Sequence, residues 1–346
     1  MMLCMRIHAL LNKRAVLFGA LLVCAALLGY AAGGAVPSKS DLAPAFDYDS
    51  MRDELVTRVN TDNPSVALRL LTQGMNDQDV SENCHALVHE IGHAAYVKYG
   101  SFEAAMHYQD DTCGAGYIHG VIELVFKGTS NLDEEMNTIC ADASSKSFRH
   151  KCYHGVGHGL MFYSENDVPF SIGKCDEYRD NAVKIACSEG VFMENFGSSE
   201  EDHASQFLNP ADFSYPCTEQ NTFFKGGCYF YAPIYFLKMH ENNYEQAFAW
   251  CSTLDPAFRL RCVSGVASRV MKQYWNDPTV AMGHCARVGS YDEAACLDGL
   301  VSYYLVQTNS VEQTLRLCDD QRGSAAWACR ESVEARRGEY TDATEG

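Results

Sequence analysis

Basic charge is in short supply in this chain: 27 lysines and arginines stand against 45 aspartates and glutamates in 346 residues, a formal net charge of −18. A protein held by phosphate contacts needs clustered Lys and Arg. No basic stripe is evident, so nucleic acid is excluded as a partner, and the acidity suits solubility outside the cell. Strand-like alternation of apolar and polar residues is also scarce, which points away from a sheet protein. With 47% hydrophobic residues the chain is far from the disordered class and long enough to bury a full core.

The N-terminus departs from this pattern. Arg6, Lys13 and Arg14 precede AVLFGALLVCAALLGYAAGGAV, an apolar run long enough to cross a bilayer. Positive charge before the run and acidic sequence after it direct the remainder out of the cytosol, to a periplasmic or extracellular location. Residues 1–36 therefore read as a signal peptide or a transmembrane anchor: GGA before Val36 suits cleavage, whereas the length suits an uncleaved anchor. Residues 37–63 read as a linker, 64–200 as helical hairpins bearing His and Glu, and 201–346 as further hairpins with a C-terminal tail.

Sixteen cysteines are too many for a reducing compartment unless they bind metal. Without Cys4 and Cys24 of the leader, fourteen remain, an even number consistent with seven disulfides. From Cys140 onward they fall in pairs: Cys140 with Cys152, Cys175 with Cys187, Cys217 with Cys228, Cys251 with Cys262, Cys285 with Cys296 and Cys318 with Cys329. Each pair encloses ten or eleven residues, and the second member recurs every 33 to 41 residues, the size of a helical hairpin repeat. Segments such as EQAFAWC and SVEQTLRLC look like first helices ending at a cysteine; CVSGVASRVMKQY and CYHGVGHGLMFY look like second helices beginning at one. A disulfide would staple the two across the turn. CHALVHEIGHAAYVKYG and CGAGYIHGVIELVFKG carry one cysteine each, which makes Cys84 to Cys113 the seventh bond by parity and position.

Over residues 64 to 340 this layout resembles the tetratricopeptide class of solenoids, particularly its cysteine-stapled relatives, in period and helix pairing. The signature Trp, Gly and Pro positions of that class do not line up. The resemblance implies an all-α fold, a right-handed superhelix of about eight stapled hairpins with a concave face, and it implies no chemistry. No functional family is recognised.

In register, the second helices VHEIGHAAY, IHGVIELVF, YHGVGHGLM and SEGVFMENF place His89 and His93, His119 and Glu123, His154 and His158, and Glu189 and Met193 at two positions four residues apart, on one helix face. Later copies hold Phe230 and Ile234, Ser264 and Ser268, Asp298 and Ser302, and Glu331 and Ala335 there. Histidines serving the fold alone would recur in the later copies. Instead, ligand-capable chemistry is confined to the first four hairpins, and imidazoles and carboxylates on helices roughly 8–10 Å apart can share an ion. The expected metal ligands are His89, His93, His119, Glu123, His154, His158 and Glu189. Seven exceed the needs of one tetrahedral zinc, so a dinuclear centre or two sites fit the number, and one shared centre requires tight superhelical curvature. Iron or manganese suits the mixed set, zinc its His-rich half, and copper a set that includes Met193. His85 and Glu194 lie beside this face as partners that orient imidazoles.

The stretch His89-Glu90-Ile91-Gly92-His93 is also HExxH, and at these five residues it resembles the zincin metallopeptidases. That resemblance implies a zinc held by His89 and His93, with His119 or Glu123 as third ligand and Glu90 as general base. No strands precede residue 85, however, and the position of Glu90 is Gly120, Gly155, Gly190, Gly265 and Gly299 in other copies, so the repeat itself readily generates the pattern.

The sequence thus favours a metal-dependent oxidoreductase or hydrolase with Glu90 or Glu194 handling protons. Its rivals are the metallopeptidase and a scaffold that takes a protein partner on its concave face. The N-terminal segment implies contact with a membrane.

Overall fold

The computed structural model describes residues 46–143, 145–198 and 205–340. The apolar run before residue 37 lies outside them. Among the described residues no helix is long and apolar enough to cross a membrane, and none lies in a β-strand. The helices belong to one compact unit, Tyr48–Gly346.

The order is α1 (Tyr48–Thr61), α2 (Pro64–Gly74), α3 (Gln78–Tyr99), α4 (Phe102–Met106), α5 (Thr112–Gly128), α6 (Leu132–Thr138), α7 (Lys146–Tyr163), α8 (Val168–Asp176) and α9 (Asn181–Gly197), then a 3-10 turn at Cys217–Glu219. There follow α10 (Thr222–Tyr231), α11 (Pro233–Met239), α12 (Tyr244–Cys251), α13 (Pro256–Gln273), α14 (Pro278–Cys285), α15 (Glu293–Thr308), α16 (Val311–Leu317) and α17 (Gly323–Tyr340). Start signals are written locally. Asn63, Asp77, Ser145, Asp167, Asp180, Asn221, Asp255 and Asp277 each accept a hydrogen bond from a first-turn amide of the helix that follows. Pro64, Pro256 and Pro278 sit at first helical positions, where the missing N–H costs nothing. Part of the expected linker is the helix α1, whose Leu55 and Val59, one turn apart, are fully buried; α1 packs on α2 and α3.

The hairpin reading of the cysteines is borne out. All seven expected disulfides are present, with Cys84–Cys113 joining α3 to α5 and each of the six short ones joining an outer element to the following inner helix; that helix starts three to six residues before its cysteine, not at it as expected from the sequence. Seven such bonds mark an oxidising, extracytoplasmic environment.

The inner helices α3, α5, α7, α9, α10, α13, α15 and α17 pack each on the next. Glycines set how closely. A Cβ at Gly120 would run into the His89 carbonyl of the preceding helix, and one at Gly190 into that of His154; Gly265 and Gly299 meet Phe230 and Ser264 in the same way. The repeat glycine is therefore a contact point of backbone on backbone.

The array coils tightly. α13, the sixth inner helix, returns to pack on the first, α3; α15 packs on α5 and α17 on α7, so five hairpins complete a turn. Glu82 of α3 accepts hydrogen bonds from Gln78 and from Gln273 of α13, both at 2.6 Å, and the Gln78 side chain reaches the Gln273 carbonyl. Along the axis lies a cavity of about 350 Å³ to which every inner helix contributes a lining residue, among them His85, His119, His154, Met193, Tyr231, Arg269, Tyr303 and Tyr340.

Candidate metal centre

The curvature brings imidazoles from three inner helices to one place. His85 and His89 of α3, His119 of α5 and His158 of α7 each offer a ring nitrogen, all four lying within 4.8 Å of one another. Ring centroids of His89, His119 and His158 are separated by 5.0 to 5.4 Å.

The far side of three rings is committed. Nδ1 of His85 donates to the Cys113 carbonyl at 2.7 Å, Nδ1 of His89 to Oε1 of Glu123 at 2.9 Å, and Nδ1 of His158 to Oε2 of Glu194 at 2.7 Å. With the Nδ1 proton so placed, Nε2 is the nitrogen that each of these rings has left to offer to the cluster. Nε2 of His85 and Nε2 of His89 then face one another at 3.1 Å. A proton or a metal ion between them would satisfy both nitrogens. Nε2 of His158 and both nitrogens of His119 are buried without a hydrogen-bond partner among the described residues, and both residues are 2% exposed. Uncommitted buried nitrogens are costly unless something coordinates them.

The Cys113 carbonyl reaches His85 through an unusual turn. Cys113 and Ala115 have φ of 55° and 62°, in the left-handed region that non-glycine residues seldom adopt, with Gly114 between them at 73°. The Cys84–Cys113 bond and the start of α5 hold this turn against α3.

Burial, reinforced by neighbouring imidazoles, holds His85, His119 and His154 well below the ordinary imidazole value of 6.5, so these rings are neutral and able to ligate at physiological pH. Burial would likewise lower His93, but hydrogen bonds with Glu123 and Glu90 outweigh it and push His93 up to about 10. Burial alone would raise Glu123, yet its interactions with His89 and His93 hold this 2% exposed carboxyl well below its ordinary value. Glu123 is thus an anion paired with a protonated His93, 2.6 Å away.

The residues expected from the sequence divide accordingly. His89, His119 and His158 enter the four-imidazole group, and His85, expected only to orient others, joins them. Glu123 accepts from two histidines, and Glu194 holds His158 as an orienting partner. His93 binds Glu123 and lies 3.6 Å from Glu90, so the two HExxH histidines reach the two oxygens of one carboxylate, with Glu90 beyond His93. His154 falls in a second group with His150 and Glu189; Glu189 also meets Arg261 at 3.4 Å. Met193 lines the cavity. His85 was detectable one turn ahead of His89 on the same face, and His150 holds the corresponding position ahead of His154.

No family model matches the chain, and no solved structure matches it. Among curated proteins it is similar to the D-alanine–D-alanine ligases of Tropheryma whipplei strains Twist and TW08/27. Each is 32% identical over 93 residues, which cover 24% of this chain and 26% of the ligase. The chain spans about a quarter of the length of these relatives, and a likeness of that reach places it in no family.

Proposed function

We propose that this chain is an extracytoplasmic metalloenzyme, a right-handed superhelix of stapled hairpins tethered to the membrane by its N-terminal apolar run. In this reading one transition-metal ion sits on Nε2 of His85, His89 and His158 and on a ring nitrogen of His119. The observation that carries it is the facing pair of Nε2 atoms at 3.1 Å. Two nitrogens each about 2.0–2.1 Å from one ion stand roughly 2.8–3.0 Å apart at an octahedral angle and roughly 3.3–3.4 Å apart at a tetrahedral one, and 3.1 Å lies between the two. A proton alone would satisfy that pair, but His119 and His158 bring further uncommitted nitrogens to the same point. Cys113, Glu123 and Glu194 fix the rings as hydrogen-bond acceptors do around metal-binding histidines.

Four imidazoles close a tetrahedral zinc but leave positions open on a five- or six-coordinate ion such as iron, manganese or copper. The proposed chemistry is therefore oxidation–reduction of a small molecule, for which the metal supplies the electron acceptor or donor. Three features of the chain support that role: His85, His89 and His158 are held by hydrogen bonds at Nδ1, the Glu123 carboxylate stands beside the imidazole group with its charge balanced by protonated His93, and the axial cavity admits a ligand beside His85 and His119. A cavity of about 350 Å³ has the size of a small-molecule site, which favours a small ligand over a protein partner. The peptidase reading needs His89 and His93 on one ion, and Glu123 bridges them here. Arg261 against Glu189 opposes a second cation on the His150, His154 and Glu189 group, so one ion is favoured over two.

X-ray absorption and electron paramagnetic resonance on the purified protein test this reading. A redox-active ion with an all-nitrogen protein shell near 2.0–2.2 Å supports it; tightly bound zinc in a closed four-nitrogen shell would remove the oxidoreductase.

A further inference from the structure

The lining of the axial cavity includes five cationic side chains, Lys151, Arg261, Arg269, Lys272 and Arg336, and most of them are already neutralised. Lys151 meets Asp111 at 2.9 Å, Arg261 meets Glu189 at 3.4 Å and Arg336 meets Asp298 at 2.7 Å. Arg269 and Lys272, neighbouring positions on α13, are the exception. Arg269 gives its Nε hydrogen bond to the Ser268 hydroxyl at 3.2 Å; among the described residues no carboxylate is in ion-pair contact with either side chain. Burial and the nearby Arg269 push Lys272 down to about 8, and Glu82, tied up by two glutamine side chains, offsets this only in part. Two cations three residues apart on one helix and lining one partly enclosed cavity repel each other until an anion arrives.

The surroundings define that anion further. Tyr231 and Tyr303 line the same cavity, and burial raises both well above the ordinary phenol value, so each keeps a hydroxyl proton to donate. Phe230, Met193 and Val306 supply apolar wall, while His85 and His119 lie in the lining on the imidazole side. Glu189, Asp298 and Glu339 also line the cavity, and they penalise a dianion more than a monoanion.

We propose that the cavity takes a small carboxylic acid, its carboxylate held between Arg269 and Lys272 and its apolar body directed toward the four-imidazole group. What becomes of the acid rests on the metalloenzyme reading; its binding does not. A guanidinium and an ammonium converging on one carboxylate make charge-assisted hydrogen bonds that an amide of the same shape cannot replace.

Thermal shift and calorimetry with butyrate, hexanoate, benzoate and phenylacetate, each beside its amide, and with phenyl phosphate, test the assignment. At least one acid is expected to raise Tm and to bind at least about tenfold more tightly than its amide. Arg269→Gln with Lys272→Gln should erase that preference while metal content stays unchanged, and Arg269→Lys should keep it. Should the double variant fail to fold, Lys272→Gln alone and Arg269→Lys decide by the same criterion. Wild-type protein stripped by chelator should retain the preference, so an acid-selective protein without native metal would sink the metalloenzyme and leave this site standing. Acids and amides binding alike, no acid stabilising the protein, preference surviving the glutamine substitutions, or phenyl phosphate binding in place of every acid would each overturn the proposal.

Discussion

Glu123 joins the most groups at the centre, since it orients His89 and neutralises His93. Glu123→Gln keeps the shape and removes the charge, and we expect metal affinity to fall by about 10- to 100-fold, measured by competition with a chromophoric chelator. His93→Ala should weaken binding in the same assay without abolishing it, because His93 reaches the ion only through Glu123. The metal-free protein should also respond to pH on both sides. His85, His119 and His154 have folded values below 6.5, so the unfolded chain binds more protons and stability falls as pH drops below 6.5, with the depressed Glu123 adding to the loss in acid. His93 works the other way: its contribution is complete below 6.5 and disappears as pH rises through about 10. Urea midpoints from pH 4 to 11 should therefore peak near 6.5 in the metal-free protein; a flat profile would contradict the protonation states assigned here. At this scale the sequence showed which histidines to watch but not how they group. Register places His89, His119 and His154 side by side, whereas the ring nitrogens meet on a diagonal through His85, His89, His119 and His158. Backbone neighbours are readable from a repeat; the lean of each side chain toward its helix N-terminus is a three-dimensional property.

Between helices, the repeat glycines determine whether the diagonal can form at all. A methyl at Gly120 meets the His89 backbone, which cannot rotate away. Gly120→Ala should therefore cost about 1–3 kcal/mol through overpacking and lower metal occupancy by parting α3 from α5. Gly173→Ala on the exposed face of α8 meets nothing within 4 Å and should be neutral or stabilising by up to about 1 kcal/mol. Thermal melts with metal analysis distinguish the two outcomes. The staples act on the unfolded chain: Cys251 and Cys262 are 11 residues apart, and replacing both with Ser should cost about 2–3 kcal/mol in the chain-entropy picture. Hairpins and staples were legible because paired cysteines at a fixed spacing leave few connections, and Asn, Asp, Ser and Pro mark the helix starts. Helix α1 was missed because its few apolar residues, of which only Leu55 and Val59 are buried, are scattered through a polar sequence.

Over the whole molecule, the return of α13 onto α3 turns a row of hairpins into a cavity lined by both histidines and cations. Arg269 and Lys272 carry no signal until that closure is known, since they lie more than 100 residues from the last histidine of the cluster. The requirement for tight curvature was stated by the sequence; its realisation depends on the backbone contacts at the glycines and on Glu82 bridging Gln78 and Gln273. Glu82→Ala should cost about 1–3 kcal/mol by leaving two glutamine amides short of an acceptor, yet leave metal stoichiometry intact, because every ligand comes from α3, α5 and α7. The most direct measurement is elemental mass spectrometry on untagged protein purified from its own extracytoplasmic compartment, beside His119→Ala and His158→Ala variants shown by circular dichroism to be folded. About one equivalent of a transition metal in the native protein, lost in both variants, is the expected result. No transition metal even after reconstitution, or full retention in the folded variants, would contradict the four-imidazole centre.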